Sequence, residues 1–208
     1  MSEKKIAIID YGMGNLGSIS NMLKHLGYQS LITSDIAEIK SSDFLILPGV
    51  GKFDRAMKNI RDLDLEEALK RKVKEDKIPI LGICLGMQIM CKSSEEGIES
   101  GLGLIDYEVK KFNFENSDLK VPHMGWNYVQ KDEDNILHKN LPENTRFYFV
   151  HSYYVEKNKP DLKIFTTHYG LDFVSGFASK NLFGVQFHPE KSHKYGKALF
   201  KNFLNYYE

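Results

Sequence analysis

Cysteine is scarce in this sequence: its 208 residues include only Cys84 and Cys91. The two lie seven positions apart in what the sequence predicts to be one helix, which places them on the same face but about 10 Å apart along the axis. At that distance they cannot form a disulfide with each other. We therefore expect the fold to be held together by a hydrophobic core alone.

Net charge is also absent, because 28 Lys and Arg residues balance 28 Asp and Glu residues. A chain without an excess of basic residues builds no positive field over its surface, which argues against binding to nucleic acid or to an anionic membrane. No stretch reaches the roughly 18 consecutive apolar residues of a membrane-spanning helix, and the N-terminus lacks the apolar run of a signal peptide. These absences predict a cytoplasmic location.

The length fits a single domain over residues 1–208, which is large enough to bury a core without a structural metal. Two glycine-containing segments, "YGMGN" and "PGVG", follow apolar runs, but neither leads into the lysine-serine pair of a nucleotide-binding loop. The sequence therefore predicts neither a bound metal nor a cofactor.

Short apolar runs alternate with helical patterns in the first half of the chain. The runs at 5–10, 43–49 and 78–83 are continuous and rich in Ile and Leu, as strands covered on both faces are. Apolar residues recur every three or four positions over 16–26 and 65–73, as on one face of a helix. This alternation predicts an α/β fold with an open, mostly parallel sheet flanked by helices.

Beyond residue 100 the sequence changes to segments rich in Tyr and Phe that are separated by polar turns, such as "RFYFVHSYYVE" and "LFGVQFHPE". These segments predict additional strands, several of them antiparallel, joined to the same mixed sheet. A last helix is expected to begin near Ser192, with apolar residues on one face.

Cys84 stands between two glycines in the pattern G-x-C-x-G, formed with Gly82 and Gly86 at the end of an apolar run. This is the pattern of a nucleophile elbow, in which a strained turn from strand to helix exposes the reactive atom. A helix that begins after the cysteine would favour its thiolate form. The alternative is a buried structural cysteine in a glycine-rich turn, and the pattern alone leaves the two interpretations equally open.

A candidate base for this nucleophile is His188, which follows the apolar run "GVQF" and is followed by Pro189 and Glu190. A histidine at the carboxyl end of a strand lies on the edge where open α/β sheets bind ligands. In an extended segment the side chains of His188 and Glu190 point to the same side, so the carboxylate can hold one ring nitrogen while the other faces the thiol. A lone histidine in a loop is more often a surface residue.

A thiolate that attacks a carbonyl also needs backbone N–H groups to stabilise the oxyanion. Leu85, the residue after the nucleophile, is one candidate donor. The segment "PGVG" ends another predicted parallel strand, and it could supply a second donor from Val50 or Gly51. Glycines after a strand are common turn residues as well.

Together, the segments "DYGMGN", "PGVG", "GICLGMQ", "VPHMGWN", "FYFVHSYY" and "GVQFHPEKS" resemble the class I glutamine amidotransferases. Within that family they are most similar to the glutaminase subunits of imidazole glycerol phosphate synthase. The resemblance runs from about residue 5 to residue 205 and implies a flavodoxin-like domain. It also implies that Cys84 attacks the side-chain amide of glutamine, that His188 acts as base and acid, and that Glu190 orients the imidazole.

The same resemblance implies which residues bind L-glutamine. Gln88 matches a position that contacts the amino-acid end of the substrate, with help from Gly51 and from the backbone of Ser152 and Tyr153. The acidic pair at 95–96 could also meet the α-amino group, although a solvated surface is the expected environment for these two side chains.

A partner protein is implied too, because ammonia stays nucleophilic only while it is shielded from protonation in bulk water. In the related enzymes a (β/α)₈ barrel cyclase docks over the glutaminase, receives the ammonia and forms a heterodimer that serves histidine biosynthesis. The positions that match this interface and its ammonia gate are Asn15, His123, Met124, Trp126, Tyr148 and Lys191. We also expect the isolated subunit to be a poor glutaminase that docking activates, since glycines make rotation of the "PGVG" peptides inexpensive.

Three alternatives stay open on the sequence alone. A paralogous subunit with the same catalytic residues could deliver ammonia to another synthase, for example one that amidinates sugars of a surface polysaccharide. An elbow-cysteine hydrolase of another type would lack the distant His-Pro-Glu segment. A non-catalytic subunit that only binds its partner would not need all three of Cys84, His188 and Glu190.

Overall fold

The computed structural model describes residues 4–114, 118–131, 135–156 and 163–207. Within these ranges no helix is long and apolar enough to cross a membrane. The same residues contain no group of three or more His, Cys, Asp or Glu side chains that could hold a metal ion.

The described chain contains thirteen strands, six α-helices and two short 3₁₀ helices. The helices are α1 Leu16–His25, α2 Ile36–Ser41, α3 Phe53–Asp62, α4 Leu65–Lys74, α5 Leu85–Ile89 and α6 His193–Leu204, with the 3₁₀ helices Ile136–His138 and Pro189–Lys191. The strands are β1 Ile6–Ile9, β2 Leu31–Thr33, β3 Phe44–Gly49, β4 Ile80–Cys84, β5 Ser93–Ser94, β6 Glu108–Lys111, β7 His123–Tyr128, β8 Gln130–Lys131, β9 Arg146–His151, β10 Tyr153–Glu156, β11 Lys163–His168, β12 Asp172–Ser179 and β13 Leu182–Val185.

The main sheet is mixed, and its strands follow the order β2-β1-β3-β4-β13-β12-β10-β6-β5. The first five strands in this order are parallel, whereas β12 pairs antiparallel with β13, with β10 and with β11. Strands β7 and β9 form a separate two-stranded antiparallel sheet. The predicted α/β fold, with a mostly parallel sheet and antiparallel strands from the second half of the chain, is therefore confirmed.

Helices cover both faces of the parallel strands. On one face α1 and α6 bury their apolar sides, with Leu23 and Phe200 fully inaccessible, against alternate residues of β1, β3 and β4. On the other face α3 and α4 do the same, through Met57 and Leu69 among others. Each central strand thus buries both sets of side chains, which explains why its sequence is continuously apolar.

The helix after Cys84 is shorter than predicted. It ends at Ile89, so Cys91 lies beyond it, and the two cysteines do not share a helix. Backbone N–H groups at 101–105 donate to the carbonyl groups that a longer helix would pair internally. Leu102 N–H donates to the carbonyl of Ile89 at 2.7 Å, and Leu104 N–H donates to the carbonyl of Met90 at 2.9 Å. These bonds satisfy the helix end and turn the chain into β5.

Candidate active site

Cys84 lies at a strained turn between β4 and α5, with backbone angles of φ 55° and ψ −112°. A positive φ is rare for residues other than glycine and marks a backbone that its surroundings hold in place. The flanking glycines permit the close approach that this turn requires. A Cβ atom on Gly86 would lie 1.7 Å from the carbonyl oxygen of Leu47, and one on Gly82 would lie 2.8 Å from the Cα of Met87.

His188 lies three residues beyond β13, which pairs with β4 in parallel register. Its Nδ1 and the Oε1 atom of Glu190 are 2.8 Å apart, and both side chains are almost completely buried. The expected extended backbone is wrong, however, because Pro189–Lys191 forms a 3₁₀ helix. Pro189 favours this turn with its fixed φ, and the turn brings the carboxylate back to the ring.

Three hydrogen bonds fix the His188 segment, two of them to β9 and one within the segment. His188 N–H donates to the carbonyl of Tyr148 at 2.9 Å. The buried hydroxyl of Ser192 accepts from Tyr148 N–H at 3.0 Å and donates to the carbonyl of His188 at 2.7 Å. Ser192 precedes α6 as predicted, but its hydroxyl holds the histidine segment instead of capping the helix.

The electrostatic environment keeps His188 protonated. Burial alone would lower the pKa of the ring, but charge interaction with Cys84 and Glu190 and the hydrogen bond to Glu190 outweigh it and raise the pKa to about 10. Among the described residues, Nε2 of His188 has no well-aligned hydrogen-bond partner. In the absence of substrate such catalytic contacts are commonly long or poorly aligned. Because Glu190 holds Nδ1, Nε2 is the ring nitrogen that is left to exchange a proton with a substrate in the cavity.

A cavity of about 290 Å³ opens beside Cys84, which is near the lower limit of clefts for small ligands. It brings together nine of the residues that the sequence singles out. The lining residues are Val50, Gly51, Cys84, Leu85, Gln88, Glu96, Pro122, Val150, His151, Ser152, Tyr153 and His188. Glu190 lies behind His188, outside this lining.

The two acidic residues at 95–96 differ in their surroundings. Glu95 is exposed and binds Lys110 and the N–H of Lys111, as expected of a surface residue. Glu96 lines the cavity, and its Oε2 accepts a hydrogen bond from Phe53 N–H at 2.9 Å. Burial raises the pKa of this carboxyl group. The expectation of a solvated surface is therefore wrong for Glu96.

Gln88 projects from α5 into the cavity wall and is almost completely buried. Its Nε2 donates to the carbonyl of Tyr153 at 3.0 Å and to Oε1 of Gln186 at 2.9 Å. Both amide hydrogens are thus used inside the protein. The amide oxygen Oε1 is the atom that Gln88 can offer to a donor on a ligand.

A pair of buried histidines, one of which lines the cavity, lies next to the site. His123 Nδ1 and His151 Nε2 are 2.9 Å apart, and His151 Nδ1 donates to the carbonyl of Tyr153 at 2.8 Å. Burial lowers the pKa of His123 to about 4 and that of His151 to about 3. Both rings are therefore neutral at pH 7. His123 also stacks on Tyr169 with ring centroids 4.1 Å apart.

The residues predicted to meet a partner fall into two groups. Met124 and Trp126 on β7 are 62% and 43% exposed, and Lys191 and Asn15 are also exposed. Tyr148, half-buried on β9, pairs with Trp126 across the small sheet. His123 is different: it is only 3% exposed and faces inward, so it cannot contact a partner directly in this conformation.

Sequence reasoning missed two residues of the site, His151 and Gln186. Gln186 is fully buried and its Nε2 lies 3.7 Å from the sulfur of Cys84. A signal for it exists in the sequence, because "GVQFHPE" places a single amide inside an apolar run that ends at the candidate base. His151 carries no comparable signal, since a strand of alternating aromatic residues can place a histidine on either face.

Comparison with known proteins places these features in one family. The family model described as "Glutamine amidotransferase class-I" matches residues 7–206. A Methanococcus maripaludis protein named imidazole glycerol phosphate synthase subunit HisH 2 is 52% identical, over 96% of this chain and 98% of that protein. The Pseudomonas aeruginosa subunits named HisH 2 and HisH 1 are 45% and 44% identical, over 96% of this chain and 98% and 95% of those proteins.

Solved structures agree on the fold. The structure described as PurLQS from Thermotoga maritima superposes with a TM-score of 0.77 at 19% identity, covering 99% of this chain and 100% of that chain. At this low identity the similarity supports the fold alone. The family match over nearly the whole chain, together with the cysteine elbow and the His-Pro-Glu segment at one cavity, establishes that the chain belongs to the class I glutamine amidotransferases.

Proposed function

We propose that this chain is the glutaminase subunit of imidazole glycerol phosphate synthase, which releases ammonia from L-glutamine for a cyclase partner in histidine biosynthesis. The observation that carries the proposal is the meeting of Cys84 and His188 at the cavity, with Glu190 behind them holding the far ring nitrogen of His188 at 2.8 Å. Cys84 and the His188–Glu190 pair are separated by about a hundred positions in the chain, and the fold brings them to one place.

Acylation begins with the thiolate of Cys84, which attacks the side-chain carbonyl carbon of glutamine. The imidazolium of His188 then transfers its Nε2 proton to the amide nitrogen, which leaves as ammonia, while a γ-glutamyl thioester forms on Sγ. Glu190 accepts a hydrogen bond from Nδ1 throughout, so the ring keeps its orientation and its positive charge is balanced.

Deacylation reverses the proton path. Neutral His188 takes a proton from a water molecule, which attacks the thioester carbonyl, and the sulfur of Cys84 leaves as thiolate with glutamate as the product. His188 then carries the proton, and the starting ion pair is restored. The raised pKa of His188, about 10, favours this protonated resting state.

The substrate's amino-acid end would lie between α5 and the 152–153 segment. Glu96 supplies a carboxylate and Gln88 supplies its Oε1 oxygen, two acceptors that suit an α-ammonium group. The backbone of Ser152 and Tyr153 lines the same cavity and can contact the α-carboxylate.

The oxyanion would be stabilised by backbone N–H groups. Leu85 lies directly after the nucleophile, at the start of α5, and its N–H is one donor. The second donor comes from Val50 or Gly51, which line the opposite wall of the cavity. Gly51 has φ +114°, a conformation that only glycine adopts readily. Docking of a partner can select the peptide orientation that points an N–H inward, so we expect low activity in the isolated subunit.

We expect a partner to cover a surface that adjoins this cavity. The exposed face of β7 consists of Met124, Trp126 and Tyr128, which are 62%, 43% and 60% exposed. Met124 pairs with Val150, a lining residue of the cavity, so the apolar face continues from the site. Apolar and aromatic residues of this kind serve as interface anchors. A barrel cyclase docked here would shield ammonia from water between the two reactions.

A direct test compares glutamate release by the wild type, Cys84→Ala and Cys91→Ala, each with and without a barrel cyclase. Cys91 is the matched control, because it is fully buried and burial raises the pKa of its thiol well above the usual range. We expect Cys84→Ala to be inactive and Cys91→Ala to retain activity. Equal activity of the wild type and Cys84→Ala would refute the proposed nucleophile.

The acceptor of the ammonia needs its own experiment, because the two Pseudomonas aeruginosa subunits, numbered 1 and 2, are almost equally similar to this chain. The complex of the chain with the histidine-pathway cyclase is supplied with glutamine and the phosphorylated ribulosyl nucleotide. We expect imidazole glycerol phosphate and an aminoimidazole ribonucleotide to form. Glutaminase activity that no cyclase stimulates would instead favour a paralogous synthase as the acceptor.

A further inference from the structure

Gln186 lies directly beside the nucleophile, at the carboxyl end of β13. Val185 pairs with Ile83 in parallel register, so the next residues of the two strands, Gln186 and Cys84, reach the sheet edge together. The amide Nε2 of Gln186 is 3.7 Å from Sγ of Cys84, within the range of a hydrogen bond to sulfur. The residue is completely inaccessible to solvent.

The orientation of this amide is determined by a chain of hydrogen bonds. The carbonyl of Tyr153 can only accept, so Gln88 must turn its Nε2 toward it, at 3.0 Å. The second hydrogen of that nitrogen then points to Gln186, whose Oε1 must therefore accept the hydrogen bond, at 2.9 Å. The remaining end of Gln186 is its N–H donor, and it necessarily faces the sulfur.

We propose that Gln186 is a positioning residue that holds the sulfur of Cys84 and favours its thiolate form through an N–H donor fixed by Gln88. The role rests on the proposed glutaminase chemistry. A buried donor is satisfied better by a charged sulfur than by a neutral thiol. The same donor assists when Cys84 leaves as thiolate from the thioester, because the negative charge returns to the atom that it contacts.

Two other groups near the sulfur cannot take over this role. The carbonyl of Val150, 3.9 Å from Sγ, is an acceptor and therefore favours the neutral thiol. His188 supplies charge, but it must release its proton to the leaving nitrogen during acylation. Gln186 is the donor that stays in place through both halves of the reaction.

The test measures how fast iodoacetamide alkylates Cys84 as a function of pH, in a Cys91→Ala background that leaves one thiol. In Gln186→Met, which keeps the side-chain length but removes the donor, we expect alkylation at pH 7 to slow by roughly 10-fold. The rate should recover at higher pH, where the thiolate forms without help. In Gln186→Glu the carboxylate repels the thiolate, so the slowing should be larger.

Asn181 provides a matched control at the other end of β13. It is also a buried amide, and its Nδ2 donates to the carbonyls of Val73 at 2.9 Å and Ile78 at 3.0 Å, far along the strand from Cys84. Asn181→Leu should lower the melting temperature without moving the alkylation profile. The inference is overturned if Gln186→Met behaves in the same way, or if Gln186→Glu alkylates as fast as the wild type.

The alkylation assay needs no glutamine, so it separates this inference from the proposed function. If the Gln186 variants show no shift of the alkylation profile while the wild type has glutaminase activity, only the role of Gln186 is contradicted. A protein with the expected shift but no glutamate release in any complex would contradict the proposed function alone. If Gln186→Met does not fold, the Gln186→Glu variant, which matches the native side chain in size, decides the question.

Discussion

The buried pair His123 and His151 should make the protein lose stability as soon as the pH falls below the ordinary histidine range. Burial lowers the pKa of the two rings to about 4 and about 3, whereas an unfolded chain would titrate them near 6.5. Below pH 6.5 the two rings therefore bind protons in the unfolded state but stay neutral in the folded state. Stability from this pair is fully present above pH 6.5 and falls with the pH through that window.

The size of the effect follows from the pKa differences. Each ring that stays neutral in the folded state costs about 1.4 kcal/mol of stability per pH unit below 6.5. At pH 5 the pair together should cost about 4 kcal/mol, a large part of the 5–15 kcal/mol that holds a typical domain folded. His188, with a raised pKa, affects the slope only above pH 6.5, and the lowered pKa of Glu95 matters only below about 4.5.

Urea unfolding followed by circular dichroism at pH 7, 6 and 5 measures this slope. We compare the wild type with His123→Gln, which removes one titrating ring, and with His25→Gln, a change at an exposed histidine near the end of α1. The His123 variant should start out less stable at pH 7 but lose about 2 kcal/mol less by pH 5. The His25 variant, in which both buried rings remain, should still show the loss of about 4 kcal/mol by pH 5.

When the slope of one variant is subtracted from that of another, the contributions of the groups that both variants share cancel. Glu96, whose pKa burial raises, works against the slope in every variant alike. Identical slopes for the wild type and His123→Gln would refute the argument that these rings stay neutral when folded. A steeper slope in the His25 variant would show that the assay reports something other than the buried pair.

Two further substitutions, one of them paired with a control, test the elbow and the triad. Gly86→Ala would press a methyl group against the carbonyl of Leu47, 1.7 Å away, so we expect a loss of at least about 3 kcal/mol in urea unfolding. Gly17→Ala, in an exposed turn of α1 with open space around it, should instead gain up to about 1 kcal/mol. Glu190→Gln removes a charge that raises the pKa of His188, so kcat should fall by at least about 10-fold and the basic limb of the pH–activity profile should move to lower pH. An unchanged basic limb would contradict that electrostatic role.

The parallel half of the fold could be predicted because its physics is local. Strands covered on both faces must be apolar throughout, and β1, β3 and β4 show this in their sequences. The elbow could be predicted for the same reason. Neighbouring backbone packs so closely against Gly82 and Gly86 that a larger residue at either position would be blocked.

Apart from the local 3₁₀ turn at Pro189–Lys191, the differences from the sequence predictions have another origin, because each depends on a contact made across the fold. The helix after Cys84 stops early because the chain at 101–105 takes its carbonyl groups. Glu96 leaves the surface because it binds the N–H of Phe53 at the start of α3. His123 turns inward because its ring stacks on Tyr169 and bonds His151. No pattern of neighbouring residues encodes these partners.

The site exists because of where one strand enters the sheet. β13 lies between β4, to which it is parallel, and β12, to which it is antiparallel, so the sheet changes direction at this strand. Helices and loops that follow parallel strands all leave from the same edge, and here that edge carries Cys84 after β4 and Gln186 and His188 after β13. A shift of one residue in the pairing of β13 with β4 would turn Gln186 away from the sulfur and carry the His188 segment with it. The register of these two strands is therefore a condition for the chemistry as well as for the core.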